Sequence, residues 1–383
     1  MSRSGKLRIL VVFGTRPEAI KLAPIIQQMR RHSGEFDVRV CNTGQHREMF
    51  RDTLDLFGVS ADMNLQLMRE NQPLAELHGR AVRSLAKLME NLNPDWVLVQ
   101  GDTTSAMAAA FAAYYQGISV AHVEAGLRTG DIRQPFPEEA NRKTISLLAE
   151  RHFAATAQAK ENLLREGVPE EKILITGNPV VDAVQEIAGL PGPPPGTDPL
   201  AGLPANKRLL TVTVHRRENL GRPLRDICRA LVRLPREFPD VHLAFPVHSN
   251  PEVWRPVHRL LGGAPGISLL PPLNYRDFIR LLRRSYFILS DSGGIQEEAP
   301  SLGKPVLVLR NKTERPEALE SGYARLIGTA QERVFREAAR LLTDPLRYAA
   351  MTSAPNPYGD GHAAERICRA LTVPKLEPEE LSV

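Results

Sequence analysis

Two trains of short apolar runs, each run followed by an amphipathic stretch, flank one interval dense in proline and glycine. This rhythm limits the fold more than any other feature. Before the interval, LRILVVF reads as a buried strand and PEAIKLAPIIQQMRRH as a helix, with Pro17 in its first turn, where a missing N–H does no harm. FDVRVCN, DWVLVQ, ISVAHV, RHFAA and EKILIT repeat the strand pattern. HREMFRDTLDLFG, closed by Gly58, and LAELHGRAVRSLAKLMENL repeat the helical one. The alanine run in GDTTSAMAAAFAAYYQG suits a helix packed closely on a sheet. After the interval the alternation restarts with RLLTVTV, VHLAFPV, ISLLPPL, YFILSD and PVLVL, each leading toward a helix. Strands without polar alternation, separated by helices, predict parallel sheets covered on both faces.

The expected fold class is therefore α/β, with two Rossmann-like doubly wound domains facing a central cleft. A chain of 383 residues is long enough for two cores. The interval GLPGPPPGTDPLAGLPAN, residues 189–206, reads as a fairly stiff linker or surface excursion between a first domain of 1–188 and a second of 207–355. Ligands of such folds sit at the carboxyl ends of the strands.

Composition narrows the function. The apolar share of 42% and charged share of 24% are those of a globular protein. A mild net charge of +5 suits an anionic small molecule as well as nucleic acid; no basic run appears, and no nucleic-acid partner is expected. Cys41, Cys228 and Cys368 are too scattered for a disulfide framework or a cysteine zinc site. No histidine pair or acidic ligand set suggests a metal, so none is expected. No signal peptide and no apolar run of membrane-spanning length are read, so a soluble, cytoplasmic protein without membrane association is expected.

The turn after the first strand, FGTRPEAIK, lacks the glycines of a dinucleotide fingerprint and the Gly-Lys-Ser/Thr of a P-loop, yet it plants Arg16 and Lys21 where ligands bind. Later turns carry Asp102, then His122, Glu124 and Arg128, then Asp131, Arg133, Glu138, Glu139, Asn141 and Arg142. In the second half come His215, Arg216, Arg217 and Glu218, then His248 and Asn250, then Asp291, Ser292, Gly293, Gly294, Glu297 and Glu298.

Each residue also has a plain structural reading. Asp102 is a candidate helix cap. His122 reads as a satisfied buried histidine. One of Glu138 and Glu139 reads as a first-turn acid favoured by the helix dipole. DSGG reads as a tight turn. Together, however, they describe an anion site. DSGG offers small residues and free N–H groups, Arg16 and His215 offer cationic or donor groups, and Glu298 suits ribose hydroxyls. Asp102, Glu124 and Glu138 would repel phosphate, so they are expected to face a neutral moiety and move protons.

The ordered set FGTRPEAIK, NTGQHREM, GDTTS, HVEAGLRTGD, PFPEEANR, ITGNPVVDA, HRREN, DSGGIQEEAPSLGKPVLVLRNKTERPEA and NPYGDG resembles the non-hydrolysing UDP-N-acetylglucosamine 2-epimerases of bacteria, from about Leu7 to Leu371. The resemblance implies a fold of the glycosyltransferase-B type, with the C-terminal helix, residues 356–383, returning to the first domain. It implies reversible conversion of UDP-GlcNAc to UDP-ManNAc, with UDP eliminated to leave 2-acetamidoglucal and then added back. Homodimers, a cytoplasmic location, a role in cell-surface polysaccharide synthesis and no cofactor are implied too. Asp102, Glu124, Glu138, His215 and Lys21 would be catalytic. Arg16, Arg142, Asn250, Phe278, Ser292, Gly293, Gly294 and Glu298 would bind substrate, Phe278 against uracil. Gln45 and His46 match a second, activating UDP-GlcNAc site, whereas Glu48 and Asn71 stand where regulated relatives carry Gln and Arg. A carboxylate near a diphosphate is unfavourable, so weakened activation is expected. A hydrolysing 2-epimerase or a glycosyltransferase would share the fold and the nucleotide-sugar site.

Overall fold

The computed structural model describes residues 5–44, 49–69, 72–194 and 196–373. It divides into two compact units, Met1–Ala183 with Tyr358–Val383, and Val184–Pro357.

The first unit runs β1 (Leu7–Phe13), α1 (Arg16–Arg31), β2 (Phe36–Asn42), α2 (Met49–Leu56), β3 (Met63–Asn64), α3 (Leu74–Leu92) and β4 (Trp96–Gln100). It continues through α4 (Thr104–Tyr115), β5 (Ser119–Ala125), α5 (Glu138–Leu148), β6 (Arg151–Ala154), α6 (Ala157–Arg165), β7 (Ile173–Ile175) and α7 (Pro179–Gly189). The seven strands form one sheet in the order β3-β2-β1-β4-β5-β6-β7, parallel throughout.

Parallel strands bury both faces, which is why their sequences are continuous apolar runs. Leu10 and Val12 of β1 and Val97 and Val99 of β4 pack with Ala106, Ala109, Ala110 and Ala113 of α4. Leu77, Leu85 and Met89 of α3 belong to the same core. Alanine lets α4 lie close to the sheet. At the end of β1 the approach is closer still, since a Cβ on Gly14 would fall on the Ser105 hydroxyl.

The second unit runs β8 (Arg208–Thr213), α8 (Arg222–Glu237), β9 (Val241–Pro246), α9 (Pro251–Leu261), β10 (Ile267–Leu270), α10 (Tyr275–Arg284) and β11 (Phe287–Ser290). Then come α11 (Gly293–Glu298), β12 (Val306–Val308), α12 (Pro316–Glu320), β13 (Ala324–Leu326), α13 (Gln331–Thr343) and α14 (Pro345–Thr352). Its sheet is again parallel, in the order β10-β9-β8-β11-β12-β13. Leu224, Ile227, Leu231 and Leu234 of α8 meet Val334, Ala338 and Leu341 of α13 in its core. The last helix, α15 (Ala363–Thr372), belongs to the first unit, where the Cys368 thiol lies against the carbonyl of Ile25 in α1.

Two doubly wound parallel α/β units are what the alternation predicts. The segment 189–206, read as a linker or surface excursion, is packed onto the second unit. The second unit begins at Val184, inside α7, and the segment is part of that unit. Leu200 and Leu203 are buried with Leu209, Ala244 and Leu281. Arg280 of α10 pairs with Asp198 at 2.8 Å, and Arg284 donates to the carbonyls of Leu200 and Leu203. Arg283 donates to the carbonyl of Ala188 at 2.6 Å. Two leucines and two arginines, Arg280 and Arg284, strap a proline-rich stretch onto α10, so the segment is a surface strap and not a spacer.

In both sheets the chain order reverses between two neighbouring strands, β1 and β4 in the first and β8 and β11 in the second. Ligands of doubly wound folds bind beyond the carboxyl ends of strands at such reversals. The turns at those points are Gly14–Thr15 and Gly101–Thr103 in the first unit, and Val214–Arg216 and Asp291–Ser292 in the second.

Candidate active site

In the first unit the strand ends gather acids with named partners. Glu124 lies at the end of β5 with a φ of 61°, the left-handed region, where the register against β6 slips. A non-glycine residue is strained there, and such strain persists where the surroundings fix a side chain for use. Its carboxylate is fixed. Lys21 donates to Oε1 at 2.6 Å, Asn178 donates to the same oxygen at 3.0 Å, and Gln100 donates to Oε2. Both Lys21 and Glu124 are buried.

Asp102 follows β4, and its carboxylate is a quarter exposed. The Arg142 guanidinium pairs with it, and Asn141 donates to its backbone carbonyl at 2.8 Å. Arg142 also reaches Glu139 at 3.2 Å.

Burial separates the two acids at the start of α5. Glu139 is fully buried and accepts the Thr129 N–H at 3.2 Å, so its charge is spent inside the protein. Glu138 is half-buried, and its Oε2 has no hydrogen-bond partner among the described residues. Of the pair, Glu138 keeps an acceptor for something else.

His122 donates from Nε2 to the carbonyl of Gly101 at 2.8 Å, and burial pushes its pKa down to about 3. It is a neutral strut. Arg128 is engaged by Glu166 and Ser146, and Asp131 and Arg133 lie exposed in the loop before α5.

Three supporting residues escape a residue-by-residue reading. Gln100 and Asn178 look like ordinary strand-end and turn residues until Glu124 is placed between them. Glu18 is almost wholly buried in α1. Its Oε2 accepts from Gly14 N at 3.1 Å, Thr15 N at 2.7 Å and Thr15 Oγ1 at 2.7 Å, and its Oε1 accepts from Thr103 Oγ1 at 2.7 Å. Burial raises its pKa to about 7 against the pull of those bonds. The Thr15–Glu18 spacing is a helix-start signature and is the signal that marks it.

In the second unit, buried Asp291 accepts His215 N at 3.1 Å, Arg216 N at 2.9 Å and Asn219 Nδ2 at 2.9 Å. The His215 ring lies 3.5 Å from the same carboxylate and stacks on His248 with centroids 5.9 Å apart. Burial lowers the His215 pKa although Asp291 pulls it up, and Arg216 and His248 add to the lowering. Its imidazole is thus held toward the neutral form.

Beside it, Arg216 pairs with Glu314 at 3.2 Å, and Arg310 pairs with the same acid at 2.6 Å. Burial works against the Glu314 charge, but Arg315, Arg310 and Arg216 outweigh it and hold its pKa low. A Cβ on Gly293 would stand 3.0 Å from Glu314 and 3.3 Å from Arg216, so only glycine fits there without displacing a neighbour.

Ser292 precedes α11 and donates its N–H to Ser290 Oγ at 2.9 Å; its own hydroxyl makes no capping bond. Glu298 is buried near the end of α11. Phe278 is half-buried on α10, a helix whose Tyr275, Ile279, Leu281 and Leu282 are buried. Asn250 caps α9, its Oδ1 accepting Glu252 N at 2.9 Å. Gln45, His46, Glu48 and Asn71 lie outside the described residues.

A sequence model described as UDP-N-acetylglucosamine 2-epimerase matches residues 27–372. The chain belongs to the UDP-N-acetylglucosamine 2-epimerase family. A protein of Yersinia pestis named UDP-N-acetylglucosamine 2-epimerase is 48% identical over 370 residues, covering 95% of this chain and 98% of its own. The crystal structure of UDP-GlcNAc 2-epimerase from Neisseria meningitidis bound to UDP-GlcNAc superimposes with a TM-score of 0.87 at 42% identity, over 95% of this chain and 99% of that one. The glycotransferase of kitacinnamycin, at 15% identity, 96% and 100% coverage and a TM-score of 0.60, shares the fold alone. In this 2-epimerase family member, no group of three or more His, Cys, Asp or Glu side chains among the described residues is arranged to hold a metal ion. Nor is any described helix long and apolar enough to cross a membrane.

Proposed function

We propose that this protein interconverts UDP-N-acetylglucosamine and UDP-N-acetylmannosamine by eliminating UDP to 2-acetamidoglucal and adding it back with carbon 2 inverted. The observation that carries the reading is Glu124, strained at a strand end and gripped by Lys21, Gln100 and Asn178, in a chain of this family.

The chemistry follows from charge. The carbon-2 proton is a weak acid until UDP departs, because departure leaves an oxocarbenium-like ring. Glu124 then stands as a fixed negative charge to position and stabilise that ring, and Lys21 orients it. Asp102 and Glu138 take and return the carbon-2 proton. Asp102 is paired with Arg142, and Glu138 has an unspent oxygen. Elimination and re-addition conserve electrons, so no nicotinamide or other redox cofactor is needed.

Arg16, Arg142 and the Ser292-Gly293-Gly294 turn are assigned to the nucleotide sugar, with His215 as donor to the leaving diphosphate. Glu298 is assigned to ribose, Phe278 to uracil and the Asn250 amide to polar contact. The first unit then carries acid–base chemistry and the second holds UDP. We further propose a cytoplasmic homodimer that feeds cell-surface polysaccharide synthesis. Weakened activation by UDP-GlcNAc is proposed from Gln45, His46, Glu48 and Asn71.

Incubation with UDP-GlcNAc, followed by ion-pair chromatography, tests the function. UDP-ManNAc is expected as the minor partner of a stable mixture. Free N-acetylmannosamine accumulating with UDP would assign the hydrolysing reaction instead, and transfer to an added sugar acceptor would assign a glycosyltransferase.

A further inference from the structure

The two turns at the strand reversal of the first unit are tied by one side chain. Glu18 takes Gly14 N, Thr15 N and the Thr15 hydroxyl on one oxygen and the Thr103 hydroxyl on the other. Thr15 immediately precedes Arg16, and Thr103 immediately follows Asp102. Thr103 Oγ1 also accepts Ala106 N at 3.1 Å, so the same hydroxyl sets the start of α4. A third turn joins on the far side of Gly14, where Thr43 Oγ1 and Ser105 Oγ share a 2.9 Å hydrogen bond.

We propose that Glu18 is a positioning residue for the reaction, holding the turn that carries Arg16 and the turn that carries Asp102 in fixed register. The inference rests on the assignment of Arg16 and Asp102 to the epimerase site. Glu18 touches no substrate in this account and acts only through Thr15 and Thr103. Both Glu18 oxygens are occupied by turn donors, and the residue is almost wholly buried, so any shift of one turn is transmitted to the other. A one-ångström misplacement of a reacting group suffices to slow chemistry by up to about 100-fold.

The test uses Glu18→Ala, Glu18→Gln, Thr103→Val, Thr103→Ser and the double variant Glu18→Ala/Thr103→Val. Two readouts are taken, namely kcat and KM for UDP-GlcNAc, and backbone deuterium exchange of the segments holding residues 14–15 and 101–104. Thr103→Val is expected to lower kcat about tenfold with a smaller change in KM, and Thr103→Ser to restore most of the rate. Glu18→Gln keeps one acceptor and gains a donor, so it should lose less than Glu18→Ala. The double variant should be no slower than Glu18→Ala alone, because both changes break one link.

Thr103→Val should also speed exchange at residues 14–15, across the sheet reversal from the altered side chain. Additive losses of rate, or exchange at 14–15 unchanged in Thr103→Val, would overturn the proposal. If Glu18→Ala does not fold, the two Thr103 variants carry the test. If the unaltered protein leaves UDP-GlcNAc untouched, the assigned function fails, and exchange at 14–15 still decides whether Glu18 couples the turns.

Discussion

Lys21 Nζ lies 2.6 Å from Glu124 Oε1, and both side chains are buried. The two are far apart in the chain, one in the first turns of α1 and the other at the end of β5. Their pairing turns a charged helix residue and a strained strand residue into one unit. Removing one partner leaves a desolvated charge, so Lys21→Met is expected to cost about 3 kcal/mol of stability. It should also lower kcat far more than it raises KM. Urea unfolding and steady-state rates measure both, and a variant with full rate would detach Lys21 from the chemistry.

The anchor Asp291 serves His215 as Glu18 serves Arg16. It takes the His215 and Arg216 N–H groups across the reversal between β8 and β11. Asp291→Asn replaces one acceptor oxygen by a donor facing donors. Each buried group left unsatisfied costs about 1–3 kcal/mol. UDP affinity, read by titration calorimetry, should fall together with stability. Unchanged affinity would place the His215 turn outside the nucleotide site.

Gly293 carries a narrower expectation. An added methyl group meets Glu314 at 3.0 Å, and Glu314 is itself held by Arg216 and Arg310. Gly293→Ala should raise the Kd for UDP about tenfold, which is about 1.4 kcal/mol, while the circular dichroism spectrum stays the same. Equal Kd values would remove this turn from the nucleotide contact.

Glu18 gives a pH signature. Its folded pKa is raised from 4.5 to about 7 by burial, and its four donors are neutral. Between those values the folded state binds more protons than the unfolded chain, so stability falls as pH rises from 4.5 through 7. A shift of this size corresponds to about 3 kcal/mol. Glu18→Gln, which cannot ionise, should flatten that part of the stability–pH curve. Equal slopes in both proteins would show that Glu18 does not titrate there.

Much of the architecture is legible in the sequence, because parallel strands buried on both faces leave continuous apolar runs such as LRILVVF and YFILSD. The alanines of α4 likewise announce close packing. How the segment 189–206 packs is not legible, since its proline and glycine content describes chain stiffness and says nothing of Leu200 and Leu203 finding a buried niche under α10. Of the proposed site residues, position at strand ends singles out Asp102 and Glu124, and the motif that leads from β1 into α1 singles out Lys21. Adjacent Glu138 and Glu139 are indistinguishable as letters. Only the fold, by turning Glu139 toward the Thr129 N–H and Arg142, separates them. Gln100 and Asn178 act through Glu124, a long-range relationship no local pattern encodes.

The most direct test of the central claim is proton NMR of UDP-GlcNAc incubated with the protein in deuterium oxide. Elimination through a glycal, with Asp102 and Glu138 exchanging the proton, places deuterium at carbon 2 of both UDP-GlcNAc and UDP-ManNAc. Formation of UDP-ManNAc that keeps its original carbon-2 hydrogen throughout would contradict the account.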